Sequence, residues 1–138
     1  ILMDFIRKRP IRVTEDIKKM HPPEPRRALA DKFDRMPKLE DLAQERTFHV
    51  RYHDLDLNRH GNNVTFIEWI LEAVEEDHWE GYQICELEVE YRREAVLGDR
   101  VVSGCSLLNE EDGTVIHALK NDSSGRDMAI ARSVWRKR

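Results

Sequence analysis

The stretch Asp54 to Trp69 reads D-L-D-L-N-R-H-G-N-N-V-T-F-I-E-W, and its two halves ask for different structures. The first half is polar and turn-prone, because Asp and Asn side chains bond their own backbone. The second half, from Val64, is apolar: Val64, Phe66, Ile67, Trp69, Ile70, Leu71, Ala73 and Val74. Asn62 or Asn63 is placed to cap a helix, its side-chain oxygen accepting from unsatisfied amides of the first turn. The reading is a polar loop feeding a helix over Asn63 to Glu76 that is apolar on most sides and therefore buried. At about 1.5 Å rise per residue such a helix crosses one sheet. Polar groups gathered at the positive end of a buried helix suit chemistry in which negative charge develops.

Working outward, Thr47, Phe48, Val50 and Tyr52 form a short β-prone run that enters the polar loop. Beyond the helix, His78 to Gln83 reads as a loop punctuated by Gly81. Four strands are then expected, at Ile84 to Arg93, Arg100 to Leu108, Thr114 to Asn121 and Met128 to Trp135. In the first, Leu87, Val89 and Tyr91 alternate with Glu86, Glu88 and Glu90, the pattern of a strand with one buried face. Gly98-Asp99, Glu111-Asp112-Gly113 and Ser123-Ser124-Gly125-Arg126 are competent turns. Strand, helix and four strands with turn-length connections make an α+β domain with an antiparallel sheet, over residues 44–138.

Residues 21–43 hold four of the five prolines among many charges and lack a steady apolar period. They read as a linker with at most a helical turn around Arg27 to Phe33. Residues 1–20 combine an apolar start, the basic Arg7-Lys8-Arg9-Pro10, and a renewed apolar run at Ile11 and Val13. Thr14-Glu15-Asp16 is placed to cap a short helix through Met20. Ile1-Leu2-Met3 is not an ordinary beginning, so a natural N-terminus with any targeting peptide is expected to lie upstream.

Composition limits the function. The 138 residues are 40% hydrophobic and 36% charged, enough for one domain with a core and a well-solvated surface. A net charge of −4 gives no nucleic-acid signature. No apolar run has the length of a membrane span. Two cysteines, Cys85 and Cys105, lack both disulfide density and zinc-like spacing and read as reduced, buried structural thiols in a cytoplasmic setting. His49, His53, Asp54, Asp56 and His60 match no tight metal template, and no metal or other cofactor is expected.

The string D-x-D-x-N-x-H-x-N-N-x-x-F-x-x-W, followed downstream by Leu87 to Glu94 as L-E-V-E-Y-R-R-E, resembles the second half of acyl-ACP thioesterases. The resemblance runs from about Arg46 to the C-terminus. It implies a hotdog fold, a sheet wrapped around one central helix, as one half of a double hotdog. On it, residues 1–20 correspond to the last strand of a preceding, mostly absent repeat, and a second repeat from the same polypeptide or a homodimer is the expected partner. It also implies hydrolysis of fatty acyl thioesters on acyl carrier protein in fatty acid biosynthesis. The matching catalytic positions are Asp56, Asn58, His60 and Glu94, with His60 and Glu94 activating water, Asn58 orienting substrate or a partner carboxylate, and Asp56 holding the constellation in place. Backbone N–H groups of Gly61, Asn62 and Asn63 at the helix start are the expected oxyanion donors.

Two positions depart from the family pattern. Plant members follow Y-R-R-E with Cys, where this chain has Ala95, so water rather than a thiol is the expected nucleophile, and a bacterial cytoplasmic protein is favoured over a plastid one. Gly61 stands where the family commonly has Val. Basic residues at Arg7 to Arg9, Arg26, Arg27, Arg132 and Arg136 to Arg138 are ordinarily solvated surface, and in this family they would also steer an acidic carrier. The competing functions are a hotdog acyl-CoA thioesterase, whose activity would respond little to salt, and a non-catalytic acyl-binding hotdog.

Overall fold

The structure is a computed structural model and describes residues 2–4, 6–7, 9–22, 24, 26, 29–30, 33–39, 42–109 and 113–138. The helical turn expected around Arg27 to Phe33 and the turn at Glu111-Asp112 rest on residues outside that set. The chain divides into two units, Ile1–Asp34 and Arg35–Arg138.

In the first unit, strands β1 (Leu2–Asp4) and β2 (Arg9–Ile11) pair antiparallel as a separate two-stranded sheet, Leu2 opposite Ile11. The segment is thus a hairpin where one strand was expected. The reason is local: the Asp4 carboxylate accepts from the Ile6 and Arg7 amides, both at 2.9 Å, and turns the chain back. Helix α1 (Glu15–Met20) follows, with Thr14 at the cap position but without a side-chain cap bond. Its acidic first turn and basic last turn complement the helix dipole instead.

The second unit begins with β3 (Ala43–His49), a 3-10 turn at Tyr52–Asp54, and helices α2 (Asn63–Leu71) and α3 (Glu76–Gly81). Strands β4 (Tyr82–Tyr91), β5 (Arg100–Asn109), β6 (Thr114–Asn121) and β7 (Asp127–Lys137) complete it. The sheet order is β3-β5-β6-β7-β4, every pair antiparallel. Helix α2 lies on the inner face over β5 and β6. This is the α+β hotdog arrangement.

The apolar half of the opening stretch explains the docking. Phe66, Trp69 and Ile70 are at most 4% exposed and pack with Val101, Leu119, Ala129 and Ala131 of the sheet. Trp69 stacks on Phe48 of β3 and lies against Phe66, ring centroids 5.9 and 5.8 Å apart. Val64, by contrast, is 59% exposed, so the helix is buried along one stripe rather than on most sides.

Two expectations need correction. The helix stops at Leu71 instead of running to Glu76, and the expected loop at His78 to Gln83 is largely helix α3. The interruption lets Ala73 and Val74 turn inward to Cys105, Val115 and Trp135, and it lets the rings of His78 and Trp79 meet Trp135 edge-on at 4.9 and 4.7 Å. Cys85 is exposed, not buried, because β4 has a bulge between Ile84 and Glu86. Elsewhere in β4 the alternation holds in part: Ile84, Leu87 and Val89 are half-buried and Glu86 and Glu90 exposed, but Glu88, paired with Arg132, is half-buried and Tyr91 is exposed.

The outer face of the sheet is also covered. Leu42, from the linker, lies so close to Gly104 that a Cβ there would fall 2.7 Å from the Leu42 Cβ. Gly104 stands opposite Ala118, which stands opposite Ile130, and both of these are fully buried.

Candidate active site

The polar half of the opening stretch folds into a closed loop in front of α2. Its anchor is Asp54, 3% exposed, whose carboxylate accepts from the Arg51 amide at 2.7 Å and from the Arg51 guanidinium at 3.0 and 3.1 Å. Those side-chain bonds hold the Asp54 carboxyl below its ordinary value. The sequence reading counted Asp54 only as a conceivable metal ligand. Its i, i+3 spacing from Arg51 was the available signal for a reciprocal capping pair.

Asp56 then builds the tip. Its Oδ1 accepts from the amides of Asn58 (2.8 Å) and His60 (3.1 Å), and its own amide donates to the His60 carbonyl at 2.8 Å. The His60 amide, followed by that of Asn58 and by the Asn58 side chain, pulls the Asp56 carboxyl below its ordinary value. Arg59 is left in the left-handed region at φ +63, a conformation uncommon for a long side chain. The loop closes by a bridge between Leu55 and Gly61 and by the Asn62 amide donating to the Asp54 carbonyl at 2.8 Å.

His60 and Glu94 meet: Nε2 lies 3.3 Å from Oε2, with side chains 41% and 69% exposed. Glu94 follows β4, whose end is fastened by Arg92 and Arg93, both of whose amides donate to the Met128 carbonyl. The Arg92 guanidinium bonds Glu90 and Asp127, and that of Arg93 bonds the Asp127 carbonyl. The two arginines therefore hold the strand end in place. After Glu94, the Gly98 amide donates to the Val50 carbonyl and the Val50 amide to the Asp99 carbonyl, tying this segment to the entry of the polar loop.

Asn62 is the N-cap of α2, its Oδ1 accepting from the Val64 amide at 3.0 Å. The expected oxyanion donors divide. The Gly61 amide is given to the Ala95 carbonyl and the Asn62 amide to the Asp54 carbonyl, both at 2.8 Å, so neither is free to serve. Among the described hydrogen bonds, that leaves the Asn63 amide at the helix start. The Asn63 carbonyl accepts from the Tyr91 hydroxyl at 3.2 Å, a strand-to-helix link that the sequence reading missed.

The structure brings Asp56, Asn58 and His60 together in one turn and sets His60 beside Glu94. Among the described residues no three His, Cys, Asp or Glu side chains converge as metal ligands. Of the basic residues suggested for steering, Arg132 is engaged by Glu88 at 2.8 Å and Arg138 by the Tyr82 carbonyl at 3.2 Å. No helix among the described residues is long and apolar enough to cross a membrane.

Comparison with known proteins gives a family and a fold. Residues 38–137 match the model of the acyl-ACP thioesterase C-terminal domain. The chain is 29% identical over 163 residues to the chloroplastic oleoyl-acyl carrier protein thioesterase 1 of Arabidopsis thaliana, covering all of this chain and 45% of that protein. It is 34% identical over 89 residues to the chloroplastic dodecanoyl-[acyl-carrier-protein] hydrolase of Cinnamomum camphora, covering 62% of this chain and 23% of that one. The solved 12:0-ACP thioesterase of Umbellularia californica superposes with a TM-score of 0.81 at 25% identity, over 99% of this chain and 52% of its own. The chain therefore spans about half the length of proteins it matches from end to end.

Proposed function

We propose, since this chain belongs to the acyl-ACP thioesterase family and carries that family's C-terminal domain, that it hydrolyses fatty acyl thioesters on acyl carrier protein. The observation that supports this most directly is the His60–Glu94 pair at 3.3 Å, set beside the amino end of α2.

In the reaction, the pair accepts a proton from water as the water oxygen attacks the thioester carbonyl carbon. The Asn63 amide, at the positive end of the helix, donates to the developing oxyanion. Collapse breaks the carbon–sulfur bond, and the proton held by the pair returns to the departing thiolate. The products are a free fatty acid and the carrier thiol. Asp56 and Asn58 orient the loop that presents His60. No cofactor takes part in these steps.

The partner of this reading is acyl carrier protein bearing a fatty acyl group, and a second hotdog repeat, from the same polypeptide or a second copy, completes the half represented by this chain. The role is in fatty acid biosynthesis. The relatives named above are chloroplastic, and detection of a plastid leader on the full-length product would place the protein there rather than in the bacterial cytoplasm suggested by Ala95.

The test is turnover on a panel of acyl carrier proteins and the matching acyl-CoAs, with added salt. Carrier recognition predicts that kcat/KM on acyl-ACP falls steeply with salt while the CoA substrate responds less, because exposed charge pairs are screened within about 10 Å at 0.1 M. Equal responses would favour the acyl-CoA function, and binding without turnover would favour a non-catalytic acyl-binding module.

A further inference from the structure

Gly61 has no backbone reason to be glycine: its φ is not in the left-handed region. What it lacks is room. A Cβ at this position would lie 2.7 Å from Phe66 Cε2 and 3.0 Å from the Ala95 Cβ. Neither neighbour yields easily. Phe66 is 2% exposed, with the rings of Trp69 and Tyr91 both 5.8 Å away, and Ala95 is 0% exposed with its Cβ fixed to the backbone. The Gly61 amide also donates to the Ala95 carbonyl at 2.8 Å. Each of these two residues is the immediate successor of a member of the His60–Glu94 pair.

From this we infer that Gly61 and Ala95 are positioning residues, whose contact over the Phe66 ring sets the separation of His60 and Glu94. The two chain segments approach this closely because position 61 has no side chain and position 95 has only a methyl. In this chain a side chain added at 61 forces the Phe66 ring or the Ala95 segment to shift, and the movement is felt one residue away, where hydrogen-bond strength falls steeply with distance and angle. The two departures from the family pattern noted in the sequence therefore touch one another and form one packing unit. A unit of this kind acts through geometry: it limits which side chains the pair tolerates together, and it does so without meeting substrate.

The inference rests on the His60–Glu94 reading, so the experiment separates the two. The parent chain, Gly61→Ala, Phe66→Leu and the double Gly61→Ala/Phe66→Leu are compared by kcat and KM on acyl-ACP, by thermal melting, and by nitrogen-15 NMR of the His60 ring. Glu94→Gln supplies the NMR signature of a His60 ring without its carboxylate. Gly61→Ala is expected to lower kcat at least tenfold with KM within about twofold, and to move the His60 ring signals toward those of Glu94→Gln. Phe66→Leu, which vacates the Cε2 position, is expected to restore both in the double variant, and that rescue applies even if Gly61→Ala alone folds poorly. A Gly61→Ala protein with kcat within twofold of the parent and unchanged ring signals overturns the inference, as does a double variant that folds but recovers neither. If the parent turns over no acyl-ACP, the functional reading fails, while the ring signals still decide whether Gly61 positions the pair.

Discussion

Cys105 and His117 stand directly opposite each other on β5 and β6, and both face the carboxyl end of the central helix. Cys105 Sγ donates to the Ala73 carbonyl at 3.3 Å, and the His117 ring faces the Ile70 carbonyl. The last carbonyls of a helix lack intrahelical partners, so the sheet supplies groups that approach them. On its other side, His117 Nε2 lies 2.7 Å from Ser133 Oγ, which also accepts from the Trp135 indole at 2.7 Å.

His117 is fully buried, and burial pushes its pKa down from an ordinary 6.5 to about 4. Between those values the unfolded chain binds the proton and the folded chain does not. The contribution to stability is therefore complete above about pH 6.5 and is lost as pH falls toward 4, on the order of 3 kcal/mol in all. Urea titrations at pH 7, 5.5 and 4.5 should show this decline in the parent. His117→Leu should flatten it while lowering stability at pH 7. An unchanged slope in the variant would mean that the ring is not buried neutral.

Asp54 acts in the same direction, in a more acidic window. Its folded pKa is held below the ordinary carboxylate value, chiefly by the Arg51 side chain. Its contribution is present above about pH 4 and disappears as pH falls through the folded value. Asp54→Asn should remove this acid-side component. At neutral pH it should cost about 1–3 kcal/mol, since a buried acceptor for an amide and a guanidinium is weakened. Hydrogen exchange should localise the loosening to the loop between Arg51 and Asn62, with the strands unaffected.

These two residues show where sequence reading succeeded and where it stopped. The fold was legible because α2 and the strands announce themselves through periodicity and turns, and the candidate site because its residues are contiguous in two short motifs. What escaped depends on pairings across the fold. His117 looks like any strand residue until β5 and β7 flank it. Tyr91 gains its link to Asn63 only when β4 ends beside the helix start. The interruption after Leu71 escaped because Ala73 and Val74 continue the apolar pattern and only the position of Trp135 decides that the chain turns there. The exposure of Cys85 follows from a bulge that no local signal marks.

Trp69 tests the docking of α2. It is 4% exposed and stacks on Phe48. Trp69→Ala should destabilise by about 3–5 kcal/mol, as large core truncations do. A loss under about 1 kcal/mol, the scale of a surface change, would contradict the helix packing described here.

The identity of the nucleophile can be argued from the two thiols and from Ala95. Cys105 is buried, its thiol pushed up to about 11 by desolvation and committed to the Ala73 carbonyl, so it supplies no thiolate near neutrality. Cys85 is exposed on β4, its Sγ 3.7 Å from the Gln83 carbonyl. Cys85→Ala and Cys105→Ala should therefore keep most activity. Ala95 is 0% exposed and belongs to the core around Phe66, so Ala95→Cys should create a thiol that alkylating reagents reach only on unfolding and that adds no activity. Glu94→Gln keeps the shape and removes the carboxylate, and general-base catalysis puts the loss in kcat at about 10²–10⁴-fold. His60→Ala should cost similarly. The double variant should lose far less than the product of the two, since groups acting as one unit are not additive. A dead cysteine variant together with a nearly normal Glu94→Gln would reverse the assignment and make a thiol the attacking group.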